Sequence, residues 1–130
     1  MIKNKFITFV TLTLLLVIGF SCNPGNLRHE RYIQNNTAAD TIIVINPDFD
    51  DAIDTIIPGD LALIYSFEIL DTKQEFEACK WIGDTLIVKT IDGDLLDRSV
   101  KTEDFWTYTL QGESERVQRC TFVVITEDFE

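Results

Sequence analysis

TIIPGDLALIYSFEIL, residues 55–70, decides the fold. The β-branched run Thr55–Ile57 stops at Pro58-Gly59, a dipeptide suited to a tight turn. The ten residues that follow alternate. Leu61, Leu63, Tyr65, Phe67 and Ile69 fall on one face at a period of two, whereas a helix would place its apolar residues three and four apart. The stretch therefore predicts two strands joined by a turn, over 55–60 and 61–70.

The same grammar repeats outward. Arg31–Asn35 reads as a first strand and residues 36–40 as a turn. TIIVIN (41–46) is apolar on both faces, which predicts a buried central strand. NPDFDDAID (46–54) reads as an acidic loop. TLIVKTI (85–91), Asp92-Gly93-Asp94 and LLDRSV (95–100) form a predicted hairpin. FWTYTL (105–110) places Trp106, Tyr108 and Leu110 on one face, and RVQRCTFVVIT (116–126) does the same for Cys120, Phe122 and Val124. DTKQEFEACKWI (71–82) is ambiguous between a short helix capped by Asp71 and a hairpin arm. Seven or eight strands on about a hundred residues predict an all-β, two-sheet sandwich of immunoglobulin-like architecture; a small β-barrel is the alternative.

Composition supports one folded domain. The chain has 130 residues, 45% of them hydrophobic and 11% aromatic, too apolar for a disordered segment. Its formal charge is −11. Without residues 1–21, which contain Lys3 and Lys5, 22 acids face 9 bases, a net of −13. Such a surface repels nucleic acid and anionic lipid.

The N-terminus has a different character. Lys3 and Lys5 precede an uncharged apolar stretch, Phe6–Phe20. Its fifteen residues suit a signal peptide core better than a spanning helix, which needs roughly twenty. No alanine occurs before Ala38, so ordinary signal cleavage has no A-x-A site. Ser21-Cys22 instead resembles the end of a bacterial lipoprotein signal, in looser form like those of Bacteroidota. The resemblance implies removal of residues 1–21 and lipidation of Cys22. Residues 22–29 then form the lipidated tether and 30–130 the sandwich domain. The seven residues Asn23–His29 span at most about 25 Å, so the domain works close to the bilayer. Residues 23–28 lack the acidic run that follows the cysteine in surface-exported relatives, which favours a periplasm-facing outer-membrane lipoprotein.

Beyond the signal, "NNTAADTIIVI", "DTIIPGDLALIYSFEIL" and "RCTFVVITEDF" resemble a group of small Bacteroidota lipoproteins. The resemblance covers nearly the whole mature chain. It implies a fold and a place, and no activity.

Candidates for chemistry are few. Cys79 and Cys120 can pair in an oxidising compartment or remain as buried thiols. Asp48, Asp50, Asp51 and Asp54 form a weak calcium candidate, while the run from Asp92 fails the calcium-loop pattern at Leu96 and Asp97. Asp-Thr-aliphatic occurs at Thr41, Thr55 and Thr85. It resembles the acceptor motif for O-glycosylation of Bacteroidota envelope proteins, and equally fits a turn ending in aspartate before a β-branched strand opener. The single histidine, His29, falls in the predicted tether, and Ser66, Ser99 and Ser114 have no histidine placed to activate them. No catalysis and no cofactor are expected. The sequence predicts a lipid-anchored envelope module that binds a protein or glycan partner, with no nucleic acid. The alternative is an acidic inhibitor or immunity-type lipoprotein acting on a basic enzyme.

Overall fold

The computed structural model describes residues 25–49, 52–70, 78–83, 86–112 and 116–129. Its strands are β1 (Leu27–Asn35), β2 (Ile42–Asn46), β3 (Ala52–Ile56), β4 (Leu61–Ile69), β5 (Ile87–Thr90), β6 (Trp106–Gln111) and β7 (Arg116–Val124). They form one sheet in the order β4-β1-β7-β6 and another in the order β3-β2-β5. The protein is an all-β two-sheet sandwich, and neither sheet closes into a barrel. The expectation of a two-sheet sandwich holds, with a strand order of its own.

The pairing that organises the larger sheet joins the two ends of the domain. β1 runs parallel to β7 from Leu27↔Arg116 to Asn35↔Val124, and antiparallel to β4 on its other side. β1 is therefore central, and nine residues long. The strand expected over 31–35 begins four residues earlier. His29 leaves the tether and becomes a fully buried residue, stacked on Phe67 at 4.7 Å. The domain starts at Leu27, because Leu27 and His29 gain partners on both β4 and β7.

β4 shows why strict alternation misled. The register slips between Arg31 and Tyr32, whose partners are Tyr65 and Leu63, and Ile64 is left as the extra residue. A bulge of this kind reverses the facing of everything beyond it. Tyr65, Phe67 and Ile69 face inward beside Arg31, His29 and Leu27. Leu61 and Leu63 face outward beside Gln34 and Tyr32, and are nearly half exposed.

In the smaller sheet, β2 is central but buried on one side only. Ile42, Val44 and Asn46 face the core, while Ile43 and Ile45 face outward and are half-buried. Three strands do not provide the second covering layer that a fully buried strand requires. β3 lies at Ala52–Ile56 rather than 55–60, so Asp54 belongs to a strand instead of the acidic loop. The hairpin expected after β5 is reduced to one bridge, Lys89↔Leu95.

Between the sheets lie Ile33, Ile42, Val44, Ile56, Trp81, Val88, Trp106, Cys120, Phe122 and Val124. Each large aliphatic or aromatic side chain buried there stabilises the fold by about 1.5–3 kcal/mol. Trp106 meets Phe122 edge-on at 5.4 Å, and Trp81 meets Tyr65 at 6.1 Å. The Val100 carbonyl accepts hydrogen bonds from the Trp81 amide (2.9 Å) and the Trp106 indole (2.7 Å). That one carbonyl holds residues 78–83 and the start of β6 in place.

Asn35 is a second pin, at the C-terminal end of β1. Its side-chain amide donates to the carbonyls of Asp40 (2.7 Å) and Ile56 (2.8 Å), and its oxygen accepts from the Thr37 amide (3.0 Å). Its backbone carbonyl accepts from Gly59 at 2.7 Å, where φ is +89° and the chain turns into β4. A glycine suits this left-handed position. One buried asparagine thereby ties the 36–40 turn, β3 and the Pro58-Gly59 turn together.

Candidate interaction surfaces

A disulfide joins Cys79 to Cys120, with Cα atoms 5.5 Å apart. It lies in a polar end of the interior. The Gln118 amide approaches both sulfurs, at 3.6 and 3.7 Å. Arg31 is fully buried. It donates from Nε to the Lys80 carbonyl (3.2 Å) and from Nη2 to the Ala78 carbonyl (3.3 Å), with its guanidinium 5.9 Å from the Phe67 ring centre. The cation thus binds the 78–80 backbone from below while the disulfide binds it covalently. His29 belongs to this interior cluster, fully shielded from solvent.

The other predicted site residues separate. Cys22 and the signal segment lie outside the described residues. Among those described, no helix is long and apolar enough to cross a membrane. Asp48 sits in a single 3-10 turn, Pro47–Phe49, and Asp54 on β3 beside Val44; Asp50 and Asp51 lie outside the described residues. No group of three histidine, cysteine or acidic residues among those described is placed to hold a metal ion. Thr55 is exposed on the outer face of the smaller sheet, paired with Ile43, and Thr41 leads into the same face. Thr85 lies outside the described residues.

That outer face is unusually aliphatic. Ile53, Ile45 and Ile87 form one row across three strands, and Thr55, Ile43 and Lys89 the next. A shallow groove of 310 Å³ runs along the other side of β5, past Leu86, Leu96 and Arg98. Arg98 is already engaged there. Its Nη2 donates to the Val123 carbonyl and to Asp128 Oδ2, both at 2.6 Å, and its Nε to Asp128 Oδ1.

The four sheet edges differ in how they are closed. An open edge offers unpaired amides and carbonyls to any extended chain, and natural proteins normally blunt it. β5 is covered by its own chain, since Thr90 donates to Asp94 and Leu96 donates to Val88. β3 carries the inward-facing Asp54, and β4 carries the bulge and Glu68. β6, WTYTLQ, has no charge, proline, glycine or bulge, and β7 is its only strand neighbour among the described residues.

Its side chains are also open. Residues 107–111 are all exposed. Tyr108 and Leu110 share the inward side with buried Trp106, yet are 55% and 44% exposed. Among the described residues the four-stranded sheet is one strand wider than its partner. The signal in the sequence is the lack of charge itself: six uncharged residues in an acidic chain, bounded by Glu103-Asp104 and by Glu113 and Glu115.

Comparison with family models, curated proteins and solved structures gives no match for this chain. The functional reading therefore stands on the residues themselves.

Proposed function

We propose that this chain is a lipid-anchored, periplasm-facing module of the outer membrane that acts by binding a protein partner. The observation that carries the reading is the uncharged β6 edge, which has β7 as its only strand neighbour among the described residues, whereas the other three edges are covered, bulged or charged. Cys22 supplies the anchor. With β1 beginning at Leu27, four residues lie between it and the lipidated cysteine, at most about 18 Å of chain from Cα to Cα. The partner is therefore another occupant of the membrane surface. A protein is preferred over a glycan because a strand edge recognises peptide backbone. The charge of −13 on the mature chain favours one variant of this reading, an inhibitor docking on a basic enzyme.

Crosslinking in intact cells followed by mass spectrometry tests the reading. A specific envelope protein should be captured, and Cys22→Ser should reduce its recovery while changing the protein's membrane fractionation. Capture of no protein above a charge-matched control would refute the binding role. Unchanged fractionation of Cys22→Ser would refute the anchor. Loss of the complex in high salt, with a basic enzyme as the captured partner, identifies the inhibitor variant.

A further inference from the structure

We infer that the outer face of the smaller sheet rests on a zwitterionic phospholipid bilayer, the same bilayer that holds Cys22, and so turns the outer face of the larger sheet away from the membrane. The inference rests on the lipid anchor proposed above and gives the domain a membrane-facing side.

The pairing of β2, β3 and β5 builds the face. Past the two rows already described, the alternation continues into Ile57, Thr41 and Ile91, and the Ile91 amide donates to the Thr41 carbonyl at 3.0 Å. Nine outward positions in and just beyond the three strands thus hold six isoleucines, two threonines and Lys89. Ile53, Ile57 and Ile91 are 64%, 54% and 65% exposed. None of the nine is acidic, although the mature chain has 22 acids. An exposed aliphatic patch on an otherwise charged domain marks a contact surface. None of the nine is aromatic or an arginine, the side chains that anchor protein partners in pockets. Lipid binding instead scales with the apolar area buried and asks for no matching pocket.

The tether brings this face to the membrane. Asn35, at the C-terminal end of β1, bonds the carbonyls of Asp40 and Ile56, so that end of the larger sheet lies over the Ile42, Ile56 and Thr90 end of the smaller one. The Leu27 end therefore lies towards the row of Ile53, Ile45 and Ile87. Phe49, just past β2, accordingly meets Tyr65, the partner of Arg31, at 5.2 Å. Packed sheets stand about 10 Å apart and the chain before Leu27 reaches about 18 Å, so Cys22 can sit level with the aliphatic face. Charge selects the lipid. Asp40 precedes Thr41 and Asp92 follows Ile91, which puts acids at the rim. They attract the outlying ammonium groups of zwitterionic headgroups and repel anionic ones. Lys89 lays its stem on the isoleucines and extends its ammonium to the phosphates. A second copy is disfavoured. Strand spacing and residue rise give the face about 300 Å², against about 800 Å² per partner in a stable complex, and two strongly acidic chains repel.

Nitroxide quenching of the full-length, lipidated protein in nanodiscs provides the test. An NBD fluorophore is attached through Thr55→Cys on the aliphatic face, or through Thr109→Cys on the outer face of the larger sheet, with the Cys79–Cys120 bond left oxidised. In phosphatidylcholine carrying headgroup nitroxides, quenching at position 55 should exceed that at 109 about threefold, and NBD emission at 55 should shift to the blue. Replacing part of the lipid by anionic phosphatidylglycerol should lower the ratio. Ile53→Asp should bring it towards one while the protein stays in the nanodisc. Equal quenching at the two positions, stronger quenching at 109, or a ratio raised by anionic lipid would each overturn the inference. The comparison of 55 with 109 leaves every isoleucine in place, so the test holds even if Ile53→Asp misfolds. Photocrosslinking from position 55 in intact cells should give lipid adducts. A protein adduct there, or a dimer linked through position 55 of both copies, would make a partner or a second copy the occupant and overturn the bilayer assignment. Intact mass separates this inference from the anchor. Acyl mass with equal quenching removes the docked face and leaves the anchor standing. A mass without acyl chains removes the anchor, and the inference with it.

Discussion

Reducing the Cys79–Cys120 bond should bring the domain close to the limit of its stability. The bond spans 41 residues of sequence and encloses β5 and β6. In the chain-entropy description, releasing a loop of that length returns about 13 cal/mol/K to the unfolded chain, or about 4 kcal/mol at 25 °C. Small domains have about 5–15 kcal/mol in total, so the loss is a large fraction of what holds this one together. The measurement is urea unfolding of native protein with and without excess dithiothreitol, alongside Cys79→Ala/Cys120→Ala. With a slope near 2 kcal/mol/M, the midpoint should fall by about 2 M. The melting temperature should fall by roughly 15–20 °C. The double variant separates the bond from thiol burial and should track the reduced protein, apart from the small space left beside Gln118. Midpoints within 0.5 M of one another, about 1 kcal/mol at that slope, would refute the loop argument. A thiol count on denatured, unreduced protein adds a check on the other cysteine: none free if Cys22 is lipidated, one if it is unprocessed.

Three further outcomes follow from particular contacts. Asn35→Ala should cost about 2–4 kcal/mol in the same unfolding assay, because it removes four hydrogen bonds, to the carbonyls of Asp40 and Ile56 and from the amide and hydroxyl of Thr37; a cost below 1 kcal/mol would show that water replaces the pin. Arg98→Met should cost about 3 kcal/mol by leaving the Asp128 carboxylate, 4% exposed, without its guanidinium. Arg98→Lys should recover only part of that in thermal melts, since a lysine cannot reproduce the two-pronged contact. Burial, and then donation to Glu30 Oε2 at 2.9 Å, raise the Tyr32 phenol above its ordinary value. A pKa higher in the folded than the unfolded chain gives stability that is complete below pH 10 and lost as pH rises through the folded value. Tyr32→Phe should therefore flatten the alkaline limb of stability against pH, and an unchanged limb would remove Tyr32 as its cause.

Sequence and structure agree most where local chemistry is decisive. Pro58-Gly59 turns the chain where the dipeptide predicts. Cys120, Phe122 and Val124 share an inward face because nothing interrupts β7. Agreement fails where a distant partner chooses the outcome. His29 resembles a tether residue until β4 and β7 flank it. Leu61 and Leu63 resemble core until one extra residue at Ile64 turns them outward. Arg31 gives no local hint that it is buried, since its stabilising carbonyls at Ala78 and Lys80 lie 47 and 49 residues away.

The candidate site divides in the same way. The uncharged run WTYTLQ between acidic residues is visible in the chain. Its being an edge is not, because that depends on β1 pairing in parallel with β7 and thereby placing β6 outermost. Alternation and turn chemistry, which act over a few residues, were enough to determine strands, turns and the all-β class. Sheet order, the reversal at the bulge and the place of β6 last among the described strands of its sheet were decided only by tertiary structure, because they depend on which strands, tens of residues apart, satisfy each other's backbone groups.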